Sequence, residues 1–208
     1  MPLDAVMPYA TLDHLREAVS GVAVHMPQDW CTKMLHTLPA MPTVDRVGWL
    51  KEQCTGKTVL HLGSGGPLHA ELQTVAHQVI GVDCEPGADY QVDLDWYADE
   101  LPMVSGIDVV LLGEVLEHLC NPGFLLRAIA ESYPHATLLV TVPNAFAPQP
   151  YLGKNIEVVN GQHVAWYSAQ TLAVLLTRCG YAIEAWHCYN GQAPRSEGII
   201  VKAKVVRG

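Results

Sequence analysis

The chain has 208 residues, half of them apolar, and its 12 basic and 21 acidic residues give a formal net charge of −9. This length and composition predict a globular chain with one main domain and a sizeable core, and they exclude a disordered chain. The acidic balance argues against a broad phosphate-binding surface, so nucleic acid is not the expected partner.

Membrane spans and export signals are not expected from this sequence. No apolar run approaches the roughly 20 residues that a membrane-spanning helix needs, and the first residues lack the pattern of a signal peptide. The six cysteines form no CxxC pair and lie in or beside apolar runs, as unpaired cysteines of cytosolic proteins do. We therefore expect a cytoplasmic protein of undetermined oligomeric state.

Residues 1–54 differ in pattern from the rest and contain five prolines. Three short helical patterns are predicted in this stretch, at 11–19, 28–37 and 43–54. We expect it to form a helical segment, separate from a main domain at 55–208, that either folds over the site as a lid or packs as an ordinary cap. The candidate apolar lining residues of such a lid are Tyr9, Trp30 and Met34.

From residue 55 onward, strand and helix patterns alternate. The predicted strands are Thr58–Leu62, Gln78–Asp83, 90–94, 107–112, 136–142, 181–188 and Gly198–Val205. The predicted helices are 67–77, 121–133 and 169–179. This alternation predicts an α/β fold, with helices on both faces of a mostly parallel sheet and an antiparallel pair formed by the last two strands. Ligands of such sheets bind at the carboxyl ends of the strands.

The first predicted strand ends in the glycine turn Gly63-Ser64-Gly65-Gly66, and Pro67 marks the start of a helix. A glycine turn after a buried strand lets the backbone approach a ligand closely, which favours a nucleotide-like cofactor over a plain structural turn. The turn lacks the third glycine of the G-x-G-x-x-G dinucleotide signature, so a nicotinamide cofactor is disfavoured.

Acidic residues follow the second and third predicted strands. Asp83 comes 20 residues after Gly63, where a carboxylate can accept hydrogen bonds from both ribose hydroxyls. Asp93 and Asp95 follow the third strand, where a carboxylate can meet an adenine amino group. The alternative role of Asp83 is that of a helix cap or turn residue, and Asp93 and Asp95 are alternatively solvated turn residues.

Glu114, Glu117 and His118 follow the fourth predicted strand. A helical turn over 114–119 would place these side chains on one face, beside the cofactor. Two carboxylates and an imidazole clustered there are costly unless they bind or react with something. The alternative is that Glu117 caps or ion-pairs and that His118 packs structurally.

The segments VLHLGSG, VIGVD, VDLD, IDVVLLGEVLEHLCNP and LLVTVPNAF, in this order and spacing, resemble the class I S-adenosylmethionine-dependent methyltransferases over roughly residues 45–206. The resemblance implies a Rossmann-like sheet of seven strands and S-adenosyl-L-methionine as cofactor. It places Asp83 at the ribose and Asp93 with Leu94 at the adenine. The implied cofactor-binding residues are His61, Gly63, Ser64, Gly65, Asp83, Cys84, Asp93, Leu94 and Glu114.

One position departs from the family's pattern. The family often has an acidic residue two positions before the first glycine, where this chain has His61. The ammonium group of the cofactor then has to be held by backbone carbonyls or by another acid. A non-catalytic protein that only binds the cofactor is therefore an alternative.

The EVLEH segment and the later His163 resemble two metal-using groups, the small-RNA terminal 2′-O-methyltransferases and the ubiquinone-pathway O-methyltransferases. This resemblance implies that Glu114, Glu117, His118 and His163 bind a divalent ion, which is Mg²⁺, Mn²⁺, Fe²⁺ or Zn²⁺. Such an ion would bind a hydroxyl pair and lower the pKa of the attacking hydroxyl. If no metal is used, His118 and His163 are the candidate bases, with Glu114 as a third catalytic candidate.

The acceptor is expected to enter after the fifth strand, where 143–160 has the composition of a loop. We expect methyl transfer to an oxygen or nitrogen of a small molecule. RNA 2′-O-methylation is the alternative, although it needs a basic groove that the sequence does not show. A nicotinamide oxidoreductase is disfavoured because the EVLEH segment has no role in one.

Overall fold

Short runs rich in valine, isoleucine and leucine form the strands of a single sheet. The computed structural model describes residues 41–145, 147, 161–193 and 196–206. Within them the strands are β1 (Thr58–Leu62), β2 (Gln78–Asp83), β3 (Tyr90–Gln91), β4 (Val109–Gly113), β5 (Thr137–Pro143), β6 (Tyr181–Tyr189) and β7 (Gly198–Val205). Their order in the sheet is β3-β2-β1-β4-β5-β7-β6. The first five are parallel, and β7 pairs antiparallel with β5 and β6, which confirms the predicted fold class.

The helices of the described residues are α1 (Arg46–Cys54), α2 (Leu68–Gln73), α3 (Pro122–Ser132) and α4 (Ala169–Arg178). Asp45 caps α1 and Asn121 caps α3, while Ser168 forms a capping box with Thr171 at α4. The cap at Asp45 explains why α1 begins later than its predicted start at residue 43. None of the helices in the described part combines the length and apolar composition needed to cross a membrane.

Two predicted elements are shorter than expected. The third strand stops at Gln91 because Asp93 forms a turn, in which its Oδ1 accepts the N–H of Asp95 at 3.0 Å and its carbonyl accepts the N–H of Tyr97 at 2.8 Å. The helix predicted at 67–77 ends at Gln73, since the chain must return to the sheet and the N–H of His77 already donates to the carbonyl of Lys57 at 2.9 Å.

Helix α1 packs directly on the sheet. Leu50 and Cys54 are fully buried in one cluster with Val59 of β1 and Leu111 of β4. The helices predicted at 11–19 and 28–37, the lid residues Tyr9, Trp30 and Met34, and nearly all of the predicted loop at 143–160 lie outside the described residues.

The sheet order places three chemically distinct segments side by side. β1 lies between β2 and β4, and all three strands are parallel. Their carboxyl ends therefore meet at one edge, where Gly63 follows β1, Asp83 ends β2 and Glu114 follows β4.

Candidate functional site

The glycine turn after β1 is held by the carboxylate that ends β2. Oδ2 of Asp83 accepts the N–H of Gly65 at 2.8 Å, and its Oδ1 accepts the N–H of Glu85 at 3.0 Å. Gly63 has φ +77°, and a Cβ on it would overlap the side chain of Val115. The turn therefore requires glycine at position 63, for backbone conformation and for space.

A cavity of about 730 Å³ opens at this edge of the sheet, a size typical of small-ligand sites. Seven residues of the predicted cofactor set line it: Gly63, Gly65, Asp83, Cys84, Asp93, Leu94 and Glu114. Ser64 instead lines a neighbouring cavity of about 420 Å³ on the other side of the turn. His61 is 1% exposed and is not among the residues that line the larger cavity.

The lining of the larger cavity is acidic. Its carboxylates are Asp83, Glu85, Asp93, Asp95 and Glu114, and the described residues that line it include no lysine or arginine. Such a lining favours a cationic ligand and disfavours a phosphate.

Asp95 has a structural role within this lining. Its Oδ1 accepts the N–H of Cys120 at 2.8 Å and that of Asn121 at 3.2 Å, at the start of α3. These bonds give Asp95 a capping role, which differs from the adenine contact and from the solvated turn considered for it from the sequence.

His61 is buried inside β1 and faces another histidine. Its Nδ1 lies 3.3 Å from Nδ1 of His69, and the two rings stack with centroids 5.5 Å apart. Its Nε2 has no hydrogen-bond partner among the described residues. Burial, followed by the charge of His69, lowers the pKa of His61 from 6.5 to about 3. His61 is therefore neutral near pH 7 and cannot take the place of an acid.

We expect this burial to make stability depend on pH. A base whose pKa falls from 6.5 in the unfolded chain to about 3 in the folded chain stabilises the fold fully above pH 6.5 and loses that contribution as the pH falls toward 3. Between pH 7 and pH 5, the free energy of unfolding should drop by about 2 kcal/mol more in the parent than in His61→Asn. Urea unfolding at the two pH values measures this difference, and equal drops would contradict the assignment.

Glu114 follows β4 in the left-handed region, with φ 60°. Its Oε1 accepts hydrogen bonds from Oγ1 of Thr141 at 2.7 Å and from the hydroxyl of Tyr189 at 2.9 Å. Nη2 of Arg46 lies 3.7 Å from the same oxygen. These three partners of Glu114 were not predicted from the sequence. The threonine within the apolar run of β5 is the one local feature that could have indicated a polar contact there.

The helical turn predicted over 114–119 is wrong in extent. A 3₁₀ turn covers only Leu116–His118, because the left-handed backbone of Glu114 directs that residue away before the turn begins. Glu114 is not part of the group of potential ligand atoms, from Glu117, His118 and His163, that lie within 4.8 Å of one another.

Glu117, His118 and His163 lie together beside the cavity, with one potential ligand atom from each within 4.8 Å of the others. The side chain of Glu117 is buried, and neither of its carboxylate oxygens has a hydrogen-bond partner among the described residues. Burial, followed by the charge of Glu114, raises the pKa of Glu117 to about 8. Oε1 of this buried carboxylate lies 3.9 Å from Nε2 of His118. Together with the two imidazoles, the carboxylate forms a donor set that suits a divalent cation.

The backbone around this cluster prepares both histidines for ligation. Nδ1 of His118 donates to the carbonyl of Gln162 at 3.3 Å, which leaves its Nε2 as an acceptor. The N–H groups of Val164 and Ala165 donate to the carbonyl of Glu117, at 2.8 and 3.1 Å, and bring His163 alongside. Burial, followed by the charge of His118, lowers the pKa of His163, which favours the neutral form that a metal ligand needs.

Comparison with known proteins finds one family model, described as a methyltransferase domain, which matches residues 27–185. No curated protein matches the chain.

Several solved structures share the fold. The small RNA methyltransferase HEN1 has a TM-score of 0.62 and 16% identity over 78% of this chain, which spans only 25% of the HEN1 chain. The [4+2]-cyclase SpnF has a TM-score of 0.58 and 15% identity, over 86% of this chain and 94% of its own. The 1,6-didemethyltoxoflavin-N1-methyltransferase of Burkholderia thailandensis has a TM-score of 0.55 and 17% identity, over 100% of this chain and 93% of its own. At these identities the likeness shows the fold alone.

Proposed function

This chain belongs to the methyltransferase-domain family and is an S-adenosylmethionine-dependent methyltransferase, and on that premise we propose that it methylates an oxygen or nitrogen of a small molecule. A hydroxyl oxygen is the favoured nucleophile. The observation that carries this choice is the buried carboxylate of Glu117, which has no hydrogen-bond partner among the described residues and lies with His118 and His163 beside the cofactor cavity.

The cofactor fits the acidic cavity because S-adenosylmethionine carries a sulfonium and an ammonium group. Asp83 offers acceptors for the ribose hydroxyls, and the glycine turn provides close backbone approach. Since the sulfonium is already an activated methyl donor, the chain mainly has to align the acceptor with the methyl group.

A divalent ion at Glu117, His118 and His163 would lower the pKa of an acceptor hydroxyl and fix its position. The residues of the chain prepare that position, since the Gln162 carbonyl orients the ring of His118 and the Glu117 carbonyl anchors the segment that carries His163. If no metal is used, the neutral His163 is a base for the same proton.

A small uncharged acceptor suits the cavity better than RNA does. Its described lining carries five carboxylates and neither lysine nor arginine, and the whole chain has a net charge of −9. A phosphodiester backbone would be repelled there. RNA 2′-O-methylation is the second candidate, since HEN1 is a small RNA methyltransferase and the EVLEH segment with His163 resembles the small-RNA terminal 2′-O-methyltransferases in sequence.

Methyl transfer from tritium-labelled S-adenosylmethionine, assayed with Mn²⁺, separates the two candidates. We expect label in small vicinal diols such as catechol and adenosine, and none in a short single-stranded RNA. The matched control is the same RNA ending in a 3′-deoxynucleotide. If the RNA is labelled, the 3′-deoxy RNA is not labelled and the diols are not labelled, the acceptor is RNA and the small-molecule proposal is wrong.

A further inference from the structure

The cofactor cavity has carboxylates at two ends, and Glu114 stands at the end farther from the ribose site. We propose that Glu114 binds the ammonium group of S-adenosylmethionine and that Thr141, Tyr189 and Arg46 are positioning residues that hold it there. The inference rests on the proposed function and gives Glu114 a role distinct from the metal-ligand cluster.

The first support is the one-sided bonding of the Glu114 carboxylate. Thr141 and Tyr189 both donate to Oε1, at 2.7 and 2.9 Å. Arg46 in turn donates to Oγ1 of Thr141, from Nε at 3.2 Å and Nη2 at 3.0 Å. No described residue donates a hydrogen bond to Oε2, while the residue itself lines the cavity. One carboxylate oxygen is therefore fixed by the protein, and the other is left to a ligand.

The backbone of Glu114 gives a second support. Its φ of 60° lies in the left-handed region, which residues with a Cβ rarely adopt. The conformation is held by the Glu114 N–H, which donates to the Thr141 carbonyl at 3.0 Å, and by the side-chain bonds to Oε1. Several contacts thus combine to keep this carboxylate at the end of β4.

The spacing across the sheet is compatible with the cofactor. Asp83 ends β2 and Glu114 follows β4, on either side of β1. Neighbouring strands lie about 4.8 Å apart, so the backbones of the two residues are separated by about 10 Å across the glycine turn. In S-adenosylmethionine the ribose diol and the ammonium group lie on opposite sides of the sulfonium. Asp83 at the diol and Glu114 at the ammonium would leave the sulfonium above Gly63.

In this arrangement, Glu114 takes the role of the acid that the family often has at the position of His61. His61 is neutral and buried away from the cavity lining. Glu114 is the carboxylate that follows the next strand of the sheet, on the side opposite β2.

Two ligands distinguish loss of an ammonium contact from a general loss of cofactor binding. S-adenosylhomocysteine keeps the ammonium group, whereas 5′-methylthioadenosine shares its adenosine and sulfur but lacks the amino-acid portion. In calorimetric titrations, Glu114→Gln should weaken S-adenosylhomocysteine by about tenfold or more and leave 5′-methylthioadenosine within about twofold. Asp83→Asn should weaken both ligands alike.

The positioning residues are tested by the ratio of the two affinities. Tyr189→Phe and Thr141→Val should each lower the preference for S-adenosylhomocysteine several-fold, in the same direction as Glu114→Gln. Tyr181→Phe is the matched control, since its buried hydroxyl on the same strand donates to the Leu126 carbonyl at 2.9 Å, away from the cavity, and the ratio should not change.

Two outcomes would overturn the inference. Unchanged binding of S-adenosylhomocysteine to Glu114→Gln would show that this carboxylate does not hold the ammonium group, and equal weakening of both ligands would assign it a structural role. If the parent protein binds neither ligand, the cofactor assignment itself fails, which is a separate result.

Discussion

Replacing Asp83 with alanine is expected to weaken S-adenosylhomocysteine binding by between about tenfold and a hundredfold. A hydrogen bond to a charged acceptor contributes about 1.5–3 kcal/mol, and each 1.4 kcal/mol is a factor of ten in affinity. The substitution removes the proposed acceptor of the ribose diol together with the acceptor of the Gly65 N–H, so the glycine turn also loses its support. Isothermal titration calorimetry measures the loss directly.

The matched control is Asp108→Asn. Oδ2 of Asp108 likewise accepts a backbone N–H, that of Thr58 at 2.9 Å, but at the amino end of the parallel strands. Cofactor affinity should therefore remain at the parent value in Asp108→Asn. An Asp83→Ala protein that binds S-adenosylhomocysteine as tightly as the parent would place the ribose elsewhere, with Glu85 as the next carboxylate of the lining.

Much of this sheet could be predicted because its strands are short, buried and apolar. β1, β2 and β7 have the predicted bounds, and β4, β5 and β6 differ from prediction by one or two residues at one or both ends. The central strands β1, β2, β4 and β5 are rich in valine, isoleucine or leucine and end at a glycine, proline or acidic residue, and such runs have few alternatives to a central strand. β3 is the exception, since its two residues pair only briefly before the turn at Asp93.

The glycine turn and Asp83 were visible in the sequence because their geometry is local to adjacent strands. The surroundings of Glu114 were not. Its partners come from α1, β5 and β6, and the hydrogen bond from Tyr189 spans 75 residues of sequence. No local pattern signals such a contact, and the left-handed φ of Glu114 follows a strand that has no turn signature. Long-range hydrogen bonds thus decide which of the EVLEH carboxylates faces which part of the site.

The pairing of His61 with His69 illustrates the same limit. In the sequence, His61 is a departure from an acidic pattern. In the structure it is a neutral, buried ring stacked on another imidazole beside the glycine turn. The carboxylates that line the cavity therefore come from segments other than β1.

Removing one ligand of the metal cluster is expected to abolish the response of the protein to Mn²⁺. In the parent, Mn²⁺ at a hundredfold excess over its Kd should stabilise the fold by about 2.7 kcal/mol, which a rise in Tm reports. His163→Ala and Glu117→Gln should each lower Mn²⁺ affinity by about a hundredfold or more, since even residues outside the ligand set typically change metal affinity by 10–100-fold. Methyl transfer, measured after chelation and metal addition, should fall in parallel.

Glu117→Gln also has a readout that does not need the metal. An acid whose folded pKa is raised from 4.5 to about 8 stabilises the fold below pH 4.5 and loses that contribution as the pH rises through 8. Without metal, the free energy of unfolding of the parent should therefore fall between pH 5 and pH 8 relative to that of Glu117→Gln. The same unfolding curves show that the variant is folded under the conditions in which its Mn²⁺ response disappears.

Two further variants decide the size of the ligand set. His187→Ala changes a histidine whose ring lies 4.8 Å from that of Trp49, and it should keep the full Mn²⁺ response. Glu114→Gln should keep it as well, because the carboxylate of Glu114 is bonded to Thr141 and Tyr189 and lies outside the cluster of three. Loss of Mn²⁺ binding in Glu114→Gln would show that Glu114 is also a metal ligand. Unchanged Mn²⁺ binding in His163→Ala would contradict the proposed metal site. The two carboxylates of the EVLEH segment can then be assigned separately, one to the metal and one to the cofactor.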